Sequence, residues 1–212
     1  PYSTLYGSDA MGGVINIITR KPVAQNNGRA EVGFGSFGNL KMSGSVNGTL
    51  SKKSLFRIGF TRNEQRLDYR IGKSNMLKMS EKGKLMLDKA SFGDVMKNST
   101  WQYNQVDGQY VFNISDRWTT GFDLIYFNAN DIETGNYWGS YGQSKKDIDR
   151  INLYGTLMRK TEGNSFYFSP YFTKEVNANY TDNSDTSFVS FNSDIREYGF
   201  KMHDNFSLGS FR

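Results

Sequence analysis

An all-β fold of about eight antiparallel strands is the expectation that this 212-residue chain sets. Three observations set it. From residue 30 onward, apolar and polar residues alternate with a period of two in run after run, as strands with one oily and one wet face require. No apolar run approaches the roughly 18 to 20 residues that a membrane-crossing helix needs. The composition, with 22 Gly, 3 Pro and 15% aromatic residues, suits a strand-rich protein, either soluble or a membrane barrel.

The strands follow in order. Ala30 to Phe37 is the first, and Lys41 to Leu50 the second, with Met42, Gly44, Val46 and Leu50 alternating against Lys41, Ser43, Ser45, Asn47 and Thr49. The third sets Phe56, Ile58 and Phe60 against Arg57, Gly59 and Thr61, and the fourth sets Val106, Tyr110, Phe112 and Ile114 against Gln105, Asp107 and Gln109. Phe122, Leu124 and Tyr126 mark the fifth, and Ile151, Leu153 and Leu157 the sixth. Phe166, Phe168 and Phe172 mark the seventh, where Pro170 deletes a ladder donor and predicts an edge or a bulge. Tyr198, Phe200 and Met202 mark the eighth, opposite Glu197, Gly199, Lys201 and His203. A one-residue slip would turn Arg57, Asp107, Asp123 or Lys201 onto the oily face, so the register is well specified.

Connection lengths alternate. Ser51 to Ser54, Ser115 to Arg117 and Thr161 to Asn164 are short, whereas the connections near residues 67–100, 132–147 and 178–194 are long. Tight turns at one end and extended loops at the other are the asymmetry of a transmembrane barrel. The hairpin at Gly38-Asn39 departs from it by being short at the long-loop end.

Before the first strand stands Leu5 to Pro22, LYGSDAMGGVINIITRKP. Val14, Ile15, Ile17 and Ile18 form a β-branched run interrupted only by Asn16, suited to a strand buried on both faces. Gly12 and Gly13 allow close backbone approach, and Pro22 ends the ladder. This segment closely resembles the end of the plug domain of TonB-dependent outer-membrane receptors. The matching residues are Leu5, Tyr6, Gly7, Ser8, Asp9, Ala10, Gly12, Gly13, Val14, Asn16 and Ile18, and their role in the motif is structural. The resemblance implies two parts: residues 1–22 as the C-terminal end of a plug, and residues 23–212 as the N-terminal part of a transmembrane β-barrel of about 22 strands. It implies a receptor in the bacterial outer membrane that binds a scarce nutrient, such as a ferric siderophore, haem or cobalamin. Import would use energy transmitted by TonB with ExbB and ExbD through a more N-terminal region, which would make this chain a piece of a longer one. Outer-membrane lipid, lipopolysaccharide and a surface lipoprotein are the further partners it suggests.

Other signals are weaker. Lys and Arg total 26 against 21 Asp and Glu, a formal charge of +5, and the charges are scattered, which argues against nucleic-acid binding. Without cysteine, disulfides and thiolate metal sites are excluded. Gly33, Gly35 and Gly38 spell G-x-G-x-x-G, but a strand pattern follows instead of a helix, so they read as hairpin and packing residues. His203 is the only histidine and sits on a polar strand face, a lumenal or solvated position and not that of a metal ligand or base. No catalytic, cofactor or metal set stands out, and no enzyme is expected. The basic loop from Leu67 to Thr100 predicts a solvated segment that is helical in part. Tyr137, Trp138 and Tyr141, in GNYWGSYG, are the candidate ligand contacts, offering flat aromatic faces beside glycines.

Two other architectures share this periodicity. One is a self-contained eight-stranded outer-membrane barrel with a structural or adhesive role. The other is a soluble β-sandwich binding module with the oily faces turned inward.

Overall fold

The computed structural model describes residues 21–72, 77–87, 89–133, 144–180 and 189–206. Within them the chain is all-β. Eight long strands form one antiparallel sheet: β1 (Asn27–Gly35), β2 (Asn39–Ser51), β3 (Ser54–Gln65), β8 (Trp101–Asn113), β9 (Trp118–Glu133), β10 (Lys145–Lys160), β11 (Asn164–Tyr180) and β12 (Val189–Phe206). Their order is β1-β2-β3-β8-β9-β10-β11-β12, so every long strand pairs with its neighbours in sequence. The four short strands β4 (Tyr69–Arg70), β5 (Leu77–Met79), β6 (Leu85–Leu87) and β7 (Val95–Met96) all lie in the connection between β3 and β8.

All eight expected strands are present, and most run further than their alternation indicates. Among the described residues β1 pairs only with β2 and β12 only with β11, so the sheet has two free edges and is not a closed barrel. The eight strands also form a single layer, whereas a sandwich needs two sheets about 10 Å apart.

Residues directly opposite in an antiparallel ladder share a face, and the register therefore sorts the side chains. One line runs Ile58, Gly108, Leu124, Leu153, Phe172, Tyr198 from β3 to β12. Beside it runs Phe56, Tyr110, Phe122. This apolar face is the open one: Ile58 is 54% exposed and Phe122 48%, although both stand on interior strands. Among the described residues the buried apolar side chains, Ile71, Met96 and Ala129, lie away from its centre.

The apolar face is bounded at both ends. Toward the long loops it gives way to the line Arg62, Asn104, Asn128, Asp149. Toward the tight turns it meets Trp118, Arg159 and Phe166, which are also in register. Along β9 the stretch from Trp118 to Asn128 is close to the roughly 9 to 11 residues with which a tilted strand crosses a bilayer.

Two sequence expectations are corrected. Pro170 lies neither at an edge nor at a bulge: β11 is paired on both sides, and its register with β10 is the same before and after the proline. The ladder tolerates it because Ser169 Oγ donates to the Gly155 carbonyl at 2.8 Å, supplying beside Pro170 a donor that the proline nitrogen lacks. The other correction concerns the loop after β3, whose described residues contain no α-helix. They form two small ladders, β4 with β7 and β5 with β6, and a 3-10 turn at Lys89–Ser91. The short apolar run Leu85, Met86 and Leu87 after the tight Ser80–Lys84 connection favours a hairpin, closed by the Ser80 N–H donating to the Lys84 carbonyl at 2.8 Å.

The base of that loop is pinned. Asp68 Oδ1 accepts from the Ser99 N–H at 2.9 Å and from Ser99 Oγ at 3.0 Å, while Glu133 Oε2 accepts from the N–H and the hydroxyl of Thr100. The β1–β2 hairpin docks against the same base. Leu67 N–H donates to the Phe37 carbonyl at 3.0 Å, and the Phe37 and Tyr69 rings meet edge to face. Phe37 takes a left-handed φ of 60°, unusual for a bulky residue.

Candidate functional site: the polar face of the sheet

The opposite face carries the charges. Arg57 on β3 forms an ion pair with Asp107 on β8, and Arg150 on β10 forms one with Glu175 on β11. Arg57 also faces Gln109, which in turn faces Asp123, so hydrophilic side chains continue across three strands. Arg57 and Asp107 are about 20% exposed, less than the apolar residues on the other side. At this pair the polar side is the more sheltered one while the apolar side is open, and an oily face left open is the reverse of a soluble domain.

A cleft of about 720 Å³ opens on this polar face, lined by Arg57, Gln105, Asp107, Asp123, Tyr154 and Tyr167 among others. The ion pairs hold their own partners, so the cleft offers fixed donors and acceptors instead of a bare charge. Nearer the long-loop end lies an aromatic group. Trp101 stacks on Tyr103 with ring centroids 6.0 Å apart and planes 10° apart, and Tyr103 meets Phe127 at 5.4 Å. The Arg150 guanidinium lies 5.9 Å from the Phe127 ring centre. Gln105, Phe127, Arg150 and Glu175 occupy one line of the ladder across four strands. Stacked rings suit a flat ligand, with Arg150, already paired to Glu175, as an oriented donor beside them.

Sequence reading missed this group. Trp101 shares the polar face with Tyr103. Parity was the available signal, since Trp101 and Tyr103 alternate with the oily Val106 and Tyr110. Phe127 is the same case against Phe122 and Tyr126. The candidate ligand contacts Tyr137, Trp138 and Tyr141 lie outside the described residues, as do Leu5 to Ile18 of the plug-like motif. His203 is on the polar face, its ring stacked on Tyr167 at 4.8 Å. Gly33 and Gly35 lie in β1 and Gly38 in the hairpin, where its φ of 67° favours glycine. β2 follows, with no phosphate-binding helix.

No family model matches the chain. A segment of 32 residues, 15% of the chain, is 66% identical to the iron-regulated outer membrane virulence protein of Vibrio cholerae serotype O1, in the Classical Ogawa 395 and El Tor Inaba N16961 strains. That match spans 5% of the length of those relatives. A short stretch of the chain is therefore similar to an outer-membrane protein, and the all-β antiparallel sheet is compatible with that location.

Proposed function

We propose that this chain forms part of the barrel wall of an outer-membrane receptor that binds a scarce nutrient, of the ferric siderophore, haem or cobalamin kind, and imports it with energy delivered by TonB, ExbB and ExbD. One observation carries the reading: an open apolar band about as tall as a bilayer core, bounded by polar residues at one end and by Trp118, Arg159 and Phe166 at the other, on a sheet whose opposite face is charged. A surface of that kind is stable against acyl chains and unstable in water. The short similarity to an iron-regulated outer membrane protein adds support for the nutrient. The free edges of β1 and β12 then pair with further strands of a larger wall. The polar face looks inward at a plug that includes residues 1–22, and the ligand meets Trp101, Tyr103, Phe127 and Arg150 near the long loops. The role is binding and transport, with no catalytic step.

The test is uptake. A strain lacking the gene is compared with its parent for uptake of labelled ferric siderophores, haem and cobalamin at limiting concentration, with and without TonB. The expected result is loss of one ligand, equally complete in either mutant. Uptake that is intact in both mutants for every ligand contradicts the reading.

A further inference from the structure

The tight-turn end of the sheet holds a second group of cations, which ligand import does not use. Lys52 and Lys53 occupy the β2–β3 turn, Arg117 the β8–β9 turn, and Arg159 and Lys160 the end of β10. The last two turns are tied side by side, because the Lys160 N–H donates to the Arg117 carbonyl at 2.9 Å. Between them opens a cleft of about 750 Å³ lined by Arg117, Lys160, Thr161, Glu162 and Gly163. Asp116 and Glu162 are the acidic groups within these turns, and Asp204 is engaged by Asn164 at 2.7 Å, so the cations outnumber the acids.

Arg159 joins this cleft to the apolar band. Its guanidinium lies 5.7 Å from the Trp118 ring centre, and Trp118 meets Phe166 edge to face at 6.3 Å. One Arg159 nitrogen donates to Asn164, while its Nε is buried with no hydrogen-bond partner. An aromatic pair at the border of an oily band marks the depth of the headgroups, and cations at that depth attract anionic lipid.

We infer that the Arg117–Lys160 cleft, with Arg159 on Trp118, binds the phosphate of an anionic glycerophospholipid in the inner leaflet of the membrane. The inference rests on the membrane reading above. Two cations on adjacent turns bracket one phosphodiester, and the apolar band beside Trp118 receives its acyl chains.

The full-length protein, purified in mild detergent, is examined by native mass spectrometry with equal amounts of phosphatidylglycerol and phosphatidylethanolamine, and separately with inorganic phosphate. The R117Q/K160Q variant is measured beside it. The expected result is selective retention of phosphatidylglycerol, weakened about fivefold for each charge removed, with inorganic phosphate unable to replace the lipid. Equal retention by wild type and variant, or equal binding of inorganic phosphate, overturns the inference. Both proteins are first assayed in the outer-membrane fraction. Their presence there with no lipid preference defeats the lipid site alone, and their absence defeats the membrane reading and the lipid site together.

Discussion

Arg57 on β3 and Asp107 on β8 form an ion pair across the polar face, fifty positions apart in sequence and each about 20% exposed. Gly59, opposite Asp107 in the ladder, leaves the room this pair occupies. A Cβ at Gly59 would stand 2.5 Å from Asp107 Oδ1 and 2.9 Å from Oδ2. Backbone space on one strand thus sets the geometry of a charge contact with the next.

Asp107→Asn is expected to destabilise the sheet by about 1 to 2 kcal/mol, between the values for surface and buried pairs. Gly59→Ala acts through the same contact by displacing the Asp107 carboxylate. Its cost, about 1 kcal/mol, is expected to shrink in the D107N background, since the pair is then already lost. Denaturant midpoints in lipid or detergent for the two single variants and the double check this. Strictly additive losses contradict it.

Ser169 and Pro170 give a second prediction. Ser169 is 7% exposed, and its hydroxyl serves the Gly155 carbonyl. Ser169→Ala leaves that carbonyl without its donor, at a cost of about 1 to 3 kcal/mol. Pro170→Ala restores a backbone N–H beside it, so the serine substitution is expected to cost less in the alanine background. Equal costs in the two backgrounds, read from thermal or denaturant unfolding, would show that the hydroxyl does not replace the missing donor.

The strands were legible in the sequence, their ends much less so. Alternation marks the last strand from Glu197 to His203, yet β12 spans Val189–Phe206. Beyond the apolar band polar residues occur on both faces, with only Ala129, Ile132 and Ile148 apolar in Asn128 to Glu133 of β9 and Lys145 to Asp149 of β10, and period two vanishes though the ladder continues. β9 carries an irregularity there: Asp131 has a φ of 55°, its N–H donates to Asp147 Oδ1 at 2.7 Å, and the register with β10 shifts by one. The polar-face site was hidden for a different reason. Trp101, Tyr103, Phe127 and Arg150 come together only through registers among three strands, which spacing within one strand does not reveal.

Asp68 and Ser99 close the base of the long loop, and that closure yields a third prediction. Asp68→Asn weakens the two hydrogen bonds from Ser99 by replacing a charged acceptor with a neutral one. The loop should then open locally while the sheet stays intact. Limited trypsin digestion is expected to cut severalfold faster at Lys78, Lys82, Lys84 or Lys89 in D68N, with unchanged global unfolding. Identical cleavage rates in wild type and variant contradict a pinned base.

Trp101 and Arg150 allow the binding face to be probed directly. Trp101→Ala removes a ring worth about 1 to 3 kcal/mol against a flat ligand, by analogy with base stacking on aromatic side chains, and should weaken ligand binding roughly tenfold to a hundredfold. An apolar-face change such as Leu124→Ala is expected to leave affinity unaltered. Equilibrium binding to the purified receptor measures both, and an unaffected W101A variant would move the ligand away from this face.

The most direct measurement places single spin labels at successive β9 positions from Gly121 to Phe127, made possible by the absence of cysteine from the chain. In reconstituted bilayers, labels at Phe122, Leu124 and Tyr126 are expected to be reached by oxygen dissolved in the lipid, and those at Gly121, Asp123, Ile125 and Phe127 to be shielded from it. Oxygen contact with the second set in place of the first, or the same contact at both, would show that the apolar face does not meet lipid.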